Sequence, residues 1–262
     1  MKTYNKLIFP YILWLFILVV LPMLMILFYA FTTKGNDILT IKFTLDNFLR
    51  FFKDDIFPSV TIRSLILAFN TTIICLIIGY PMAYYMSKLN IKYQSIILIL
   101  ITLPMWINML VRTYALKGIL LEVPFNNEIK VYIGMIYNFL PFMILQIYSS
   151  LAKMDQSLIS ASNDLGANNF KTFTKVIFPL SIPGVISGII LVFLPAISSF
   201  FIPKLLGGGD YILIGNLIEN YFVITGDWNF GSAISLIMTI IILISMYFTR
   251  KLDKDTQKED LS

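Results

Sequence analysis

The chain has 262 residues, of which 58% are hydrophobic and only 13% charged, with a mean hydropathy of +0.81. Soluble domains carry about 25% charged residues, so this share marks a protein whose solvent is mostly lipid. The net charge of +5 includes no basic run interleaved with aromatics, which leaves no footprint for nucleic acid and suits anionic lipid headgroups. There is no histidine and a single cysteine, Cys75, so His-based metal sites, Ser-His-Asp and Cys-His catalysis, histidine proton relays and an intrachain disulfide are excluded.

Apolar runs of about 20 residues cross the hydrocarbon core as helices. Such runs predict six spans, at 7–33, 64–87, 93–111, 131–152, 177–203 and 228–249, within one membrane domain covering 1–262. The first run is longer than a signal-peptide core and lacks a small-x-small site, so it reads as an uncleaved span. After it, the mixed-charge segment 34–63 places Leu45, Phe48, Leu49 and Phe52 at helical spacing behind a Thr44 cap, as an amphipathic helix on the outer surface would. Arg112, after the third span, is expected to snorkel to the outer interface, and Trp14, Trp106 and Trp228 to join the aromatic belts.

An even number of spans puts both termini, the 88–92 turn and the segment 153–182 on one face. That face carries 11 of the 20 basic residues, and Lys88, Lys92 and the tail 250–262 lie next to membrane ends, where positive charge marks the cytoplasm best. On the opposite face, 204–227 holds the turn Gly207-Gly208-Gly209-Asp210 and a stretch at 212–222 too short to span, hence a re-entrant or surface helix. The triple glycine lacks the Lys-Ser/Thr of a phosphate-binding loop, so ATP hydrolysis falls to a partner. The six runs hold no carboxylate, which argues against proton or sodium coupling. Their asparagines, serines and threonines are read chiefly as interhelical glue.

The polar interruption at 153–182 is the most structured loop. Asp155 and Ser157 can cap a short helix with Leu158, Ala161 and Leu165 on one face, and Gly166 supplies a left-handed stop. Asn168 or Asn169 can start a second short helix with the stripe Phe170, Phe173 and Ile177. Pro179 is expected to end it and Pro183 to open the next helix.

This elbow resembles the cytoplasmic coupling loop of bacterial ABC importer permeases, the EAA motif, in which Glu-Ala-Ala precedes a Gly that nine intervening residues separate from Ile-x-Leu-Pro. Here Gly166 and Val176-Ile177-Phe178-Pro179 keep that spacing, while Ser160 replaces the Glu and Ser162 the second Ala. Further stretches, among them Gly79-Tyr80-Pro81-Met82-Ala83, Leu103-Pro104-Met105-Trp106, Asp164-Leu165-Gly166-Ala167 and Asp227-Trp228-Asn229-Phe230-Gly231, look like permeases of the spermidine/putrescine type, the PotB-like family. The likeness runs from about residue 10 to about residue 250. It implies an all-α polytopic membrane protein of six transmembrane helices with the type I (MetI-like) importer fold and a coupling helix between helices 4 and 5. It also implies a place in the bacterial inner membrane with cytoplasmic termini.

The partners so implied are a cytoplasmic ABC ATPase dimer holding ATP and Mg, a second permease of the PotC-like kind and an extracytoplasmic PotD-like binding protein. No cofactor, metal or catalytic residue is assigned to this chain. The ATPase-coupling elbow comprises Ser157, Ser160, Ala161, Ser162, Leu165, Gly166, Ala167, Phe173 and Pro179. For a polycationic cargo, carboxylates supply charge pairing and aromatic faces cation–π attraction, which singles out Glu219, Tyr221, Asp227 and Trp228, with Trp106 and Asn108, as the candidate pathway. Alternatives are a permease of the same family for another small solute, or a non-transporting membrane anchor that docks a soluble enzyme.

Overall fold

A computed structural model describes residues 10–33, 42–209 and 211–259, with side chains to 247. The expectations for residues 1–9, 34–41, Asp210 and 260–262, including the basic Lys2 and Lys6, lie outside the described residues. The fold is helical: α1 (Pro10–Ala30), α2 (Asp46–Lys53), α3 (Ile56–Ser87), α4 (Ile91–Trp106), α5 (Met109–Leu121), α6 (Asn127–Ala152), α7 (Gln156–Asp164), α8 (Asn169–Ser198), α9 (Phe201–Leu206), α10 (Ile214–Glu219) and α11 (Trp228–Glu259). Among the described residues, β structure is confined to a bridge between Thr32 and Phe43.

Five of these helices are long and apolar enough to cross a membrane, and α4 with α5 makes a bent pair that raises the number to six if it counts as one span. The third predicted span, 93–111, is therefore not one straight helix. The chain is extended at Ile107 and Asn108, the Asn108 carboxamide accepts the Leu110 N–H at 2.8 Å to start a new helix, and α5 departs at 95°. The predicted fifth span is corrected at both ends. Its helix begins at Asn169 and stops at Ser198, and 201–206 forms the separate α9. At the C-terminus α11 continues through the first part of the tail to Glu259.

The chain comprises two compact units. The first joins Met1–Val60 to Gly215–Leu243. Within it α1 buries only Ala30, and its C-terminal carbonyls, which have no partner inside the helix, are met by two side-chain amides. Asn47 Nδ2 donates to the carbonyls of Ala30 and Thr32 at 3.0 Å each. Asn229 Nδ2 donates to Tyr29 O at 3.1 Å and to Thr32 O and Oγ1 at 2.9 Å. Thr44 accepts the Asp46 N–H at 3.1 Å, but the N-cap position of α2 is Leu45, which makes no side-chain cap bond, so Thr44 stands one residue ahead of the cap expected of it. The face of α2 that packs within this unit is not its apolar stripe. Phe51 is 3% exposed, whereas Leu45, Leu49 and Phe52 stay open. Helical spacing defines a stripe but not which flank meets the core. Here Phe51 reaches Phe57 (5.9 Å between centroids), which packs edge-on against the fully buried Phe230 at 5.0 Å.

The second unit joins Thr61–Ile214 to Ile244–Ser262, with α6 at its core through Val131, Met135, Met143 and Ile147. Small residues let α8 approach α6 closely. A Cβ on Gly184 would lie 2.5 Å from Ser150 Cβ and 2.8 Å from Gln146 O, and one on Gly188 2.6 Å from Met143 Sδ. The short turn between α3 and α4 is clamped by Gln94, whose amide donates to Leu89 O at 2.7 Å while its carbonyl accepts from the Tyr148 hydroxyl at 2.7 Å.

Candidate functional site

The elbow is built from α7 and the start of α8. Asp155 caps α7 by accepting the Ser157 N–H at 2.9 Å, and that bond holds its carboxyl below the ordinary carboxylate value. Gly166 adopts φ +77, the Gly166 N–H donates to Asn163 O at 2.9 Å and the Ala167 N–H to Ser162 O at 3.1 Å. This pair of bonds closes the helix end with a left-handed residue, as the sequence requires. Asn168, not Asn169, caps the second arm, accepting the Lys171 N–H at 2.9 Å.

Pro179 does not end that arm. A wide π-turn over Phe173–Ile177, in which the Phe178 N–H bonds Phe173 O, shifts the hydrogen-bond register just ahead of the proline. Such a shift absorbs the donor that proline lacks. Pro179 and Pro183 therefore lie inside the continuous α8, and the second arm of the elbow and the span that follows it are one helix.

Leu158, Ala161, Leu165, Gly166 and Pro179 line one open groove of 590 Å³, flanked by Lys171 and Lys175. Leu165 and Phe170 are 88% and 73% exposed. Large apolar side chains standing open in an otherwise polar loop mark a protein contact. Ser157 and Ser160 are exposed, and the Ser160 hydroxyl donates to its own helix at Gln156 O (3.2 Å). Ser162 reaches the buried Thr172 across the elbow, with 3.0 Å between hydroxyls, so it braces the two arms. Ala167 is half-buried behind the turn. Phe173 faces α3, its ring 5.3 Å from Tyr84 and 5.9 Å from Tyr80, and locks the elbow to the bundle of this unit. Thr172 escaped the sequence reading because its partner lies across a turn that periodicity does not resolve.

The second candidate group is divided between the units. Trp106, 87% exposed, and Asn108, spent on capping α5, belong to the second. Glu219, Tyr221, Asp227 and Trp228 belong to the first. Glu219 ends α10. Tyr221 packs edge-on against Phe230 at 4.8 Å, and Trp228 against Phe222 at 5.7 Å. Asp227 caps α11 through the Phe230 N–H at 3.2 Å and pairs with Arg50 Nη1 at 3.0 Å. Arg50 was not foreseen, since 177 residues separate it from its partner.

Arg112 does not snorkel. The bend ahead of α5 redirects the chain, and the side chain is 9% exposed beside the Tyr137 ring (6.0 Å), its Nε and Nη1 meeting no hydrogen-bond partner among the described residues. Several other polar groups inside the spans hold helices together or bond their own backbone, whereas the buried Thr71 and Ser232 hydroxyls meet no hydrogen-bond partner among the described residues. Asn70 donates to the Tyr132 hydroxyl at 3.0 Å, and Asn138 to Gly134 O at 2.8 Å.

Residues 76–258 match the family described as binding-protein-dependent transport system inner membrane component. The chain is 41% identical over 256 residues to the spermidine/putrescine transport system permease protein PotB of Haemophilus influenzae, covering 90% of this chain and 89% of that protein. Its fold is similar to a chain of a bacterial ABC transporter involved in the import of the acidic polysaccharide alginate, with a TM-score of 0.71 at 15% identity over 95% of this chain and 96% of that one. It is also similar to a chain of the MetNI methionine ABC transporter, with a TM-score of 0.60 at 14% identity over 78% of this chain and 99% of that one. The expected importer-permease fold is thereby borne out.

Proposed function

The chain belongs to the family of binding-protein-dependent transport system inner membrane components, and on that footing we propose that it moves spermidine and putrescine as the PotB-like subunit of an ATP-driven importer. Membership makes it a multi-pass inner-membrane permease component that works with an ATPase and a binding protein and is not itself the catalyst. The observation that carries the substrate is the 41% identity, sustained over nearly the full length of both chains, to a permease named for these polyamines. In this reading 1–262 acts as one permease domain with both termini in the cytoplasm. It pairs with a PotC-like permease, receives cargo from a PotD-like protein and docks a dimer of ATPases.

The elbow is the transmission. Leu158, Ala161, Leu165 and Phe170 offer an apolar surface to an ATPase groove, with Gly166 keeping the turn free of a side chain. Because α8 runs unbroken from Asn169 to Ser198, a displacement of the elbow passes along a stiff rod into the bundle. Rigid-body movement of this kind is how packed helices switch between two arrangements. Uptake into vesicles carrying the reconstituted complex, with spermidine and putrescine competed against amino acids and phosphonates, tests the cargo. Saturable polyamine uptake driven by ATP is the expected result, and failure of polyamines to enter removes the substrate.

A further inference from the structure

The Arg50 guanidinium sits in surroundings that would suit a cargo amine. Its Nη1 is 3.0 Å from Asp227 Oδ2, its carbon lies 4.0 Å from the centre of the Phe230 ring and 5.7 Å from that of Tyr221. A carboxylate with two aromatic faces holds an organic cation by charge-assisted hydrogen bonding and cation–π attraction together. The cage is rigid. Phe230 is fully buried and backed by Phe57, and Asp227 is fixed by the Phe230 N–H on its other oxygen. The occupant is less confined, since the Arg50 side chain is 51% exposed in the last turn of the eight-residue α2.

Resting on the polyamine reading, we propose that Asp227, Tyr221 and Phe230 form a binding site for one ammonium group of the cargo, and that Arg50 is a tethered cation that fills it until cargo displaces it. The exchange replaces one positive charge by another, so Asp227 is never left unpaired against apolar rings, which would be costly. The displaced guanidinium has other carboxylates within reach. Asp46 and Asp54 stand four residues to either side of Arg50 and line one 710 Å³ cleft with it. Asp46 shares α2 with Arg50, and residues four apart on a helix are neighbours, while Asp54 follows the end of α2.

Equilibrium binding of spermidine to the detergent-purified complex, in the absence of the binding protein, tests this. Arg50→Gln is expected to bind about threefold to tenfold more tightly than the parent, within the range that one cation–π contact spans. Arg50→Lys keeps a competing charge and stays near the parent. Asp227→Asn keeps an acceptor for the Phe230 amide but binds at least about tenfold more weakly. Arg50→Gln binding no tighter than a parent that does bind spermidine overturns the inference and leaves Arg50 a brace. A parent complex that neither binds nor imports any polyamine brings down the substrate reading, and the ammonium site with it.

Discussion

Ser162 and Thr172 join the two arms of the elbow through hydroxyls 3.0 Å apart, at a position where the coupling motif otherwise carries alanine. Thr172 is 4% exposed and Ser162 half-buried, so the bond lies at the inner corner of the elbow, partly shielded from water. Ser162→Ala should loosen the elbow by about 0.5 to 1.5 kcal/mol, the net worth of one intramolecular hydrogen bond. Faster amide exchange over α7 and the first turn of α8, with membrane insertion unchanged, is the expected readout. Unchanged exchange would mean that the bond contributes nothing to rigidity.

Gly166 separates backbone strain from surface obstruction. Its φ of +77 disfavours any side chain, yet a Cβ there meets nothing within 4 Å. Gly166→Ala should therefore cost about 1 to 2 kcal/mol through the left-handed backbone alone, and Gly166→Asn less. Gly166→Trp adds no internal clash at the Cβ and should insert like the alanine variant, while ATPase binding and transport fall by far more. Normal coupling in the tryptophan variant would show that the groove beside Gly166 is not where the motor docks.

The Asp155 cap carries a pH dependence of definite sign. Its backbone bond to the Ser157 N–H lowers the folded carboxyl below the ordinary value of 3.8. The contribution is therefore present above that value and is lost as pH falls through the lower, folded one. The protection of the Ser157 and Leu158 amides, taken relative to the intrinsic exchange rate at each pH, should fall on acidification below about pH 4 in the parent. Asp155→Asn, which caps without a charge, should show no such step. An identical acid response in both variants would assign the effect to another group.

Gly184 tests the α6–α8 contact. With Ser150 Cβ and the Gln146 carbonyl both inside 3 Å of where an added methyl would lie, Gly184→Ala must push the two helices apart. Overpacking of this kind costs about 1 to 3 kcal/mol. A lower melting temperature in detergent is expected, with elbow exchange unaltered. An unshifted melting temperature would show that the helices separate freely.

Length and hydropathy were enough to read an all-helical membrane protein with spans in nearly the right places, because the cost of an unbonded backbone in lipid leaves few alternatives. The elbow was legible for a local reason. Capping by Asp155 and Asn168 and the left-handed Gly166 depend on residues within a few positions of each other. What the chain could not reveal alone depends on distant partners or on the sum of small backbone choices. The π-turn that carries α8 through Pro179, the 95° break at Ile107 and Asn108, the burial of Arg112 and the choice of Phe51 as the inner face of α2 are settled only when helices pack. The pairing of Arg50 with Asp227 is the extreme case. No local pattern links residues so far apart in sequence, so folding alone decides that an arginine fills the place where a cationic cargo would be expected.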